Sequence, residues 1–229
     1  MIEEIKALFA DKTLVAKIQK RLPELFQIAE LESSRAGKIG MEVGTIRERI
    51  ITALLIHKFG DQNVKSDIPT TESEVDVLLY NKPISIKTIT GKNFAGIKLI
   101  WTVDTQKANL FSKNYKPTCD LIVVQINWDN GGGFYYIPLE VQLKTLKKLG
   151  REKYIKLPKV GTNPRGVEMQ GEAMRLLISN EQILRIDISW RKESSNFNYE
   201  PSKRITIGLR CVAHLYCKPL FSNFIKQAT

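Results

Sequence analysis

Between residues 74 and 90 the spacing of apolar residues becomes two. SEVDVLLY and ISIKTIT, rich in Val, Ile and Thr, read as two strands joined through NKP. With Asn81-Lys82 as a two-residue hairpin loop, Tyr80 faces Pro83 and Asp76 lies directly opposite Lys87. Directly opposed residues share a face, with Cβ atoms about 4.5–5.5 Å apart. Val75, Val77 and Ile86 point the other way. The expectation is a hairpin that projects one acid and one lysine side by side from a face whose reverse is apolar.

The flanking sequence supplies the rest of the fold. Residues 1–32 carry helical periodicity through Ile5, Leu8, Leu14, Ile18 and Leu22, with a break expected before Pro23. SSRAGKIGMEVG reads as a glycine-rich loop, and TIRERIITALLIHKFG as a helix capped by Thr45, with Glu48 completing a capping box. KLIWTV, DLIVVQINW and FYYIPL read as strands, the last two joined by a Gly131-Gly132-Gly133 turn. DTQKANLFSKN, VQLKTLKKLG and EAMRLLIS read as helices, and ILRIDISW and RITIGLRCVAHLYC as strands. Residues 157–171 read as a basic loop. This order predicts an α/β fold: a single domain over 1–229 with a central mixed β-sheet flanked by helices.

The 35 Lys and Arg outnumber the 24 Asp and Glu, a net charge of +11 with a pI near 9.5. That excess points to a polyanionic partner, nucleic acid first. No run of about 18 apolar residues is present, so no membrane span is expected. The start, MIEEIKALFADK, reads as an amphipathic helix rather than a signal peptide. Cys119, Cys211 and Cys217 are unclustered and read as reduced thiols of a cytoplasmic protein. His57 and His214 are the sole histidines, which argues against zinc. No P-loop or nucleophile-elbow motif occurs, so neither a nucleotide cofactor nor a serine hydrolase is expected.

A neighbouring carboxylate and ammonium suit phosphodiester hydrolysis. Asp76 can bind Mg²⁺, a hard cation that takes oxygen ligands. Lys87 can orient a metal-bound water and stabilise charge growing on the phosphorus centre. The Ile86 backbone carbonyl is a further metal-ligand candidate.

This segment resembles the core of the PD-(D/E)xK nuclease superfamily, in which an Asp on one strand precedes an acid-x-Lys on the next. Two positions depart from that pattern: Val75 precedes the Asp, and Ser85 fills the second acid's slot. Variants of the superfamily draw the missing acid from the preceding helix. Here Glu48 is the natural supplier and Glu42 the weaker one; Asp67, Glu72 and Glu74 are in reserve, with Glu74 on the face of Asp76. Glu48, Asp76 and Lys87, preceded by GMEVG, closely resemble the set of a type II restriction endonuclease.

The resemblance implies a catalytic core at about 40–140 and Mg²⁺-dependent cutting of both strands of double-stranded DNA. It further implies a symmetric homodimer, a palindromic G·C site, CGCG, cut to blunt ends, and a matching methyltransferase in the host.

Several residues are candidates for holding DNA. Met41, in the glycine-rich loop, is an apolar wedge candidate for a base step reached from the minor groove. Lys92, Asn93 and Lys98 follow the lysine-bearing strand. Lys144, Lys147, Lys148 and Arg151 share one face if helical, in a basic region at about 140–170. Arg165 is a candidate reader of guanine. Two alternatives stay open: a structure-specific or repair nuclease of the same core, and a non-enzymatic basic DNA-binding protein in which Asp76–Lys87 is only an ion pair.

Overall fold

The computed structural model describes residues 3–35, 41–68, 74–94, 97–158 and 166–192, with the backbone alone at residues 35, 41 and 42. Glu72, Arg165, the expected strand RITIGLRCVAHLYC, Cys211, Cys217 and His214 lie outside the described residues.

The chain opens with α1 (Glu3–Ala10), α2 (Lys12–Arg35) and α3 (Met41–Phe59). A one-turn 3₁₀ helix leads into β1 (Val64–Lys65), β2 (Val77–Leu79), β3 (Lys82–Thr90) and β4 (Lys98–Ile100). Then come α4 (Thr105–Asn114), β5 (Asp120–Ile126), β6 (Asn130–Ile137), α5 (Leu139–Leu149) and the short α6 (Arg151–Tyr154). The last described elements are β7 (Ile155–Lys156), β8 (Val167–Met169), α7 (Gly171–Ile178) and β9 (Leu184–Trp190).

Six strands form one mixed sheet in the order β1-β2-β3-β5-β6-β9, with β3 and β5 parallel and the other pairs antiparallel. The parallel pair requires a crossover, which β4 and α4 provide. β4, β8 and β7 make a second, three-stranded sheet.

Alternation along the strands divides the interior into two layers. On one side Ile84, Ile86, Ile122, Val124 and Phe134 pack with Leu8, Ile18, Phe26, Ile51 and Leu55 of the three N-terminal helices. On the other, Ile89, Leu121, Val123, Tyr135 and Ile137 pack with Ala108, Val141, Leu146 and Met174 of α4, α5 and α7. β5, covered on both faces, is buried throughout, hence its unbroken apolar run.

Several elements depart from the sequence expectation. α2 runs through Pro23, because Leu22 and Phe26 on either side are both buried. Each such side chain contributes about 1.5–3 kcal/mol on burial, enough together to offset the proline penalty of about 3 kcal/mol. α3 begins at Met41, so Thr45 is inside the helix and no capping box forms there. Burial of Val43 draws the extra turn onto the core.

The three glycines belong to β6 rather than to the turn, which is Asn127–Asp129 with Asp129 at φ 63°. A Cβ on Gly132 would lie 2.3 Å from Gln125 O and 2.6 Å from Trp190 Nε1. Gly132 is small because the Trp190 ring lies on the strand there. α5 ends before Gly150 (φ 74°), so Arg151 starts a new helix and is not in line with Lys144, Lys147 and Lys148. β8 lies within the segment expected to be loop, and only Lys98–Ile100 of KLIWTV is strand.

Candidate active site

The β2–β3 hairpin turns at Tyr80-Asn81, both with positive φ (50° and 60°). That is the left-handed two-residue turn whose twist matches its strands. The pairs are Leu79↔Lys82, Leu78↔Pro83 and Val77↔Ile84, two residues away from the register expected with an Asn81-Lys82 loop. The reason is Pro83: a turn closed by Tyr80 and Pro83 needs a backbone N–H that proline lacks. In the observed register Lys82 closes the turn. A shift of two leaves every side chain on its original face.

Asp76 therefore does not sit opposite Lys87 in a ladder. Pairing stops at Val77, and the Asp76 N–H bonds Ile84 O at 3.0 Å. The Asp76 carboxylate reaches past the end of the ladder to β3. Its Oδ2 accepts from Ile86 N at 2.6 Å, Lys87 Nζ at 3.0 Å and Ser85 Oγ at 3.1 Å. Ser85 is buried, so the slot where the superfamily has its second acid holds a neutral donor aimed at Asp76. In a strand a residue's N–H and C=O point to the same edge. The Ile86 carbonyl thus faces the edge where Asp76 lies.

Glu48, about two turns into α3, is half-buried. Burial, and next the charge of Asp76, push its carboxyl up to about 7, while Lys87 pulls the other way. Among the described residues no hydrogen-bond donor is recorded at that carboxylate. Two carboxylates that repel each other in a partly desolvated site, with a backbone carbonyl on the same edge, form a hard-oxygen set that fits a divalent cation. Among the described residues no cluster of three or more His, Cys, Asp or Glu side chains occurs, so a cation here would rest on the two acids and the carbonyl.

Behind Lys87 is a cavity of about 20 Å³, room for about one water, lined by Glu74, Ser85, Thr118 and Gln142 among others. Glu74 is turned to this side, where it accepts from Thr118 Oγ1 at 2.7 Å. Burial raises its pKa, while hydrogen bonds from Thr118 and Tyr115 oppose the rise. The sequence reading missed the Thr118–Tyr115 support, which has no local signal because it arrives on the crossover to β5. Asp67 is exposed and no contact joins it to Asp76.

The DNA-contact candidates are spread more widely. Lys92 and Asn93 are exposed just beyond β3. Lys98 pairs with Glu168 Oε1 at 3.2 Å, and its Nζ stands 4.9 Å from the centre of the Trp101 ring. Lys147, Lys148 and Arg151 are exposed at the end of α5 and the start of α6, with no recorded contact to the Asp76 group. Met41 is the first residue of α3 rather than a loop residue, and Arg165 lies outside the described residues.

A mixed sheet that presents an acid and a lysine from one hairpin, faced by a carboxylate from the preceding helix, defines a protein of the restriction-endonuclease-like class. The family model described as restriction endonuclease ThaI matches residues 8–207. A solved structure, "Restriction endonuclease in complex with substrate DNA", is 55% identical and covers 89% of this chain and 97% of its own, with a TM-score of 0.82. None of the curated proteins matches. The chain belongs to the ThaI restriction endonuclease family.

Proposed function

We propose that this chain is a Mg²⁺-dependent type II restriction endonuclease that cuts both strands of double-stranded DNA. The observation that carries the reading is the Asp76 carboxylate, which contacts Ser85, Ile86 and Lys87 while Glu48 faces it. That the 55% identical relative was solved with its substrate DNA supports the choice of polymer. In this reading Asp76 and Glu48, with the Ile86 carbonyl, hold the metal. Bound there, Mg²⁺ supplies Lewis acidity at the scissile phosphate. Lys87 holds the attacking water by hydrogen bond and offsets the charge that grows on the phosphoryl oxygens. The Ile86 N–H and Ser85 hydroxyl fix the orientation of the Asp76 carboxylate.

The target is a short palindrome, CGCG, cut to blunt ends by a symmetric homodimer, a reading that rests on the family resemblance. Met41 enters the minor groove as a wedge, Lys92, Asn93 and Lys98 grip the cleaved strand, Lys147, Lys148 and Arg151 meet phosphates, and Arg165 reads guanine. Among the described residues no helix is long and apolar enough to cross a membrane.

The test is a digest of unmethylated plasmid with and without Mg²⁺, followed by sequencing of the product ends. Discrete blunt fragments that all end within CGCG, formed only with the metal, are expected. A smear would remove the specificity, and an intact plasmid at every metal tried would remove the catalytic reading.

A further inference from the structure

Arg47, the residue before Glu48, is 6% exposed although it carries a guanidinium. Every contact it makes ties α3 to something else. Its Nη2 pairs with Glu30 Oε1 of α2, and the same oxygen accepts from Trp128 Nε1 in the β5–β6 turn at 2.9 Å. Its Nη1 donates to Thr90 Oγ1, at the end of β3, at 3.2 Å. The guanidinium carbon lies 5.6 Å from the centre of the Phe26 ring, and the Nε is buried without a partner. Burial lowers its pKa, and Glu30 opposes that.

A buried charge is costly unless it is paired and hydrogen-bonded, and even then the pair adds little net stability. Here those contacts lie between two elements of the proposed site. α3 carries Glu48, one residue from Arg47. β3 carries Lys87 and the Ile86 amide that holds Asp76, and Thr90 lies three residues beyond Lys87. A rigid planar fork fixes both the rotation and the height of the helix against the strand, which a flexible ammonium cannot do.

We propose that Arg47 is a positioning residue that sets the spacing between the Glu48 and Asp76 carboxylates, and through it the affinity of the site for its divalent cation. The inference rests on the reading of Glu48 as a metal ligand. Loss of a hydrogen bond made directly to a metal ligand typically costs about 10–100-fold in metal affinity or activity, and Arg47, which acts through the placement of α3 on β3, belongs at the lower end of that range.

The test measures cleavage as a function of Mg²⁺ concentration for Arg47→Lys, Thr90→Val and Glu48→Gln, with thermal melting of each metal-free protein alongside. Thr90→Val removes one acceptor of the fork at an exposed strand end and is chosen to leave the fold in place. Arg47→Lys is expected to raise the half-saturating Mg²⁺ concentration about tenfold or more, Thr90→Val severalfold, with much of the rate recovered at saturating metal. A change confined to melting temperature, or a rate loss that saturating metal does not recover, would overturn the positioning role. Glu48→Gln is expected to lose cleavage at every Mg²⁺ concentration. Full activity in Glu48→Gln would overturn the metal-ligand reading itself. An inactive Glu48→Gln beside normal Mg²⁺ dependence in both Arg47→Lys and Thr90→Val would overturn the inference alone.

Discussion

Asp76 and Lys87 meet at 3.0 Å without being cross-strand partners. Lys87 pairs with Val123 of β5, while the chain leaves the β2–β3 ladder at Asp76. Because that ladder ends, the β3 edge at Ile86 is open, and a carboxylate rather than a strand satisfies its N–H. The gap lets the Asp76 carboxylate reach β3, where its charge is felt by Glu48 on α3.

Asp76→Ala is therefore expected to do two things. It strips a buried-edge N–H and an ammonium of their acceptor, costing about 1–3 kcal/mol in stability. It also abolishes cleavage, while DNA binding in Ca²⁺ persists. Lys87→Ala is expected to lower the cleavage rate by about 10²–10³-fold or more. Gel-shift titrations in Ca²⁺ and single-turnover cleavage in Mg²⁺ check both, and near-normal rates in either variant would remove the catalytic assignment.

The Glu48 carboxyl gives a pH dependence with a definite sign. Its pKa is about 7 in the folded chain against 4.5 as the ordinary value. A carboxyl raised on folding costs nothing where both states are protonated. The cost develops above about pH 4.5 and is complete once the pH passes 7. Metal-free Glu48→Gln should match the parent near pH 4 and be more stable at pH 8, by on the order of 1–3 kcal/mol. Urea titrations at the two pH values measure the difference. Equal stability at both would show that Glu48 is solvated and faces no carboxylate.

The sequence carried the sheet, the helical layers and the meeting of Asp76 with Lys87 better than it carried boundaries. Alternation in the hairpin fixes which face a residue takes, and a register shift of two preserves faces. The Asp76–Lys87 meeting was thus legible even though the pairing was not. The register itself turned on one missing N–H at Pro83. The glycine run and Pro23 depart from expectation because each is a strong turn or break signal locally. Both are overruled by distant partners, Trp190 lying on Gly132 and the core lying under Leu22 and Phe26. Arg47 gave no signal at all, since its acceptors come from positions 30 and 90.

Gly132→Ala tests the reading of that glycine run. The added methyl meets a backbone oxygen and the Trp190 ring well inside contact distance, and the backbone oxygen belongs to the neighbouring strand. Forced overpacking of this kind costs about 1–3 kcal/mol. A lowered urea midpoint with an unchanged slope is the expected outcome. Gly131→Ala, whose Cβ meets nothing within 4 Å, should cost less and serves as the comparison.

Ser85 separates a hydrogen-bond donor from a metal ligand. Its hydroxyl is the only neutral side-chain donor of the three groups on Asp76 Oδ2, and it has the longest of the three distances. Removing it leaves the Ile86 amide and the Lys87 ammonium in place, so the carboxylate keeps its orientation. Ser85→Ala should cost about 1 kcal/mol of stability. Cleavage should fall by far less than in Asp76→Ala, with an unchanged dependence on Mg²⁺ concentration. A collapse of activity, or a large rise in the Mg²⁺ needed, would instead make the hydroxyl a ligand in the place of the missing acid.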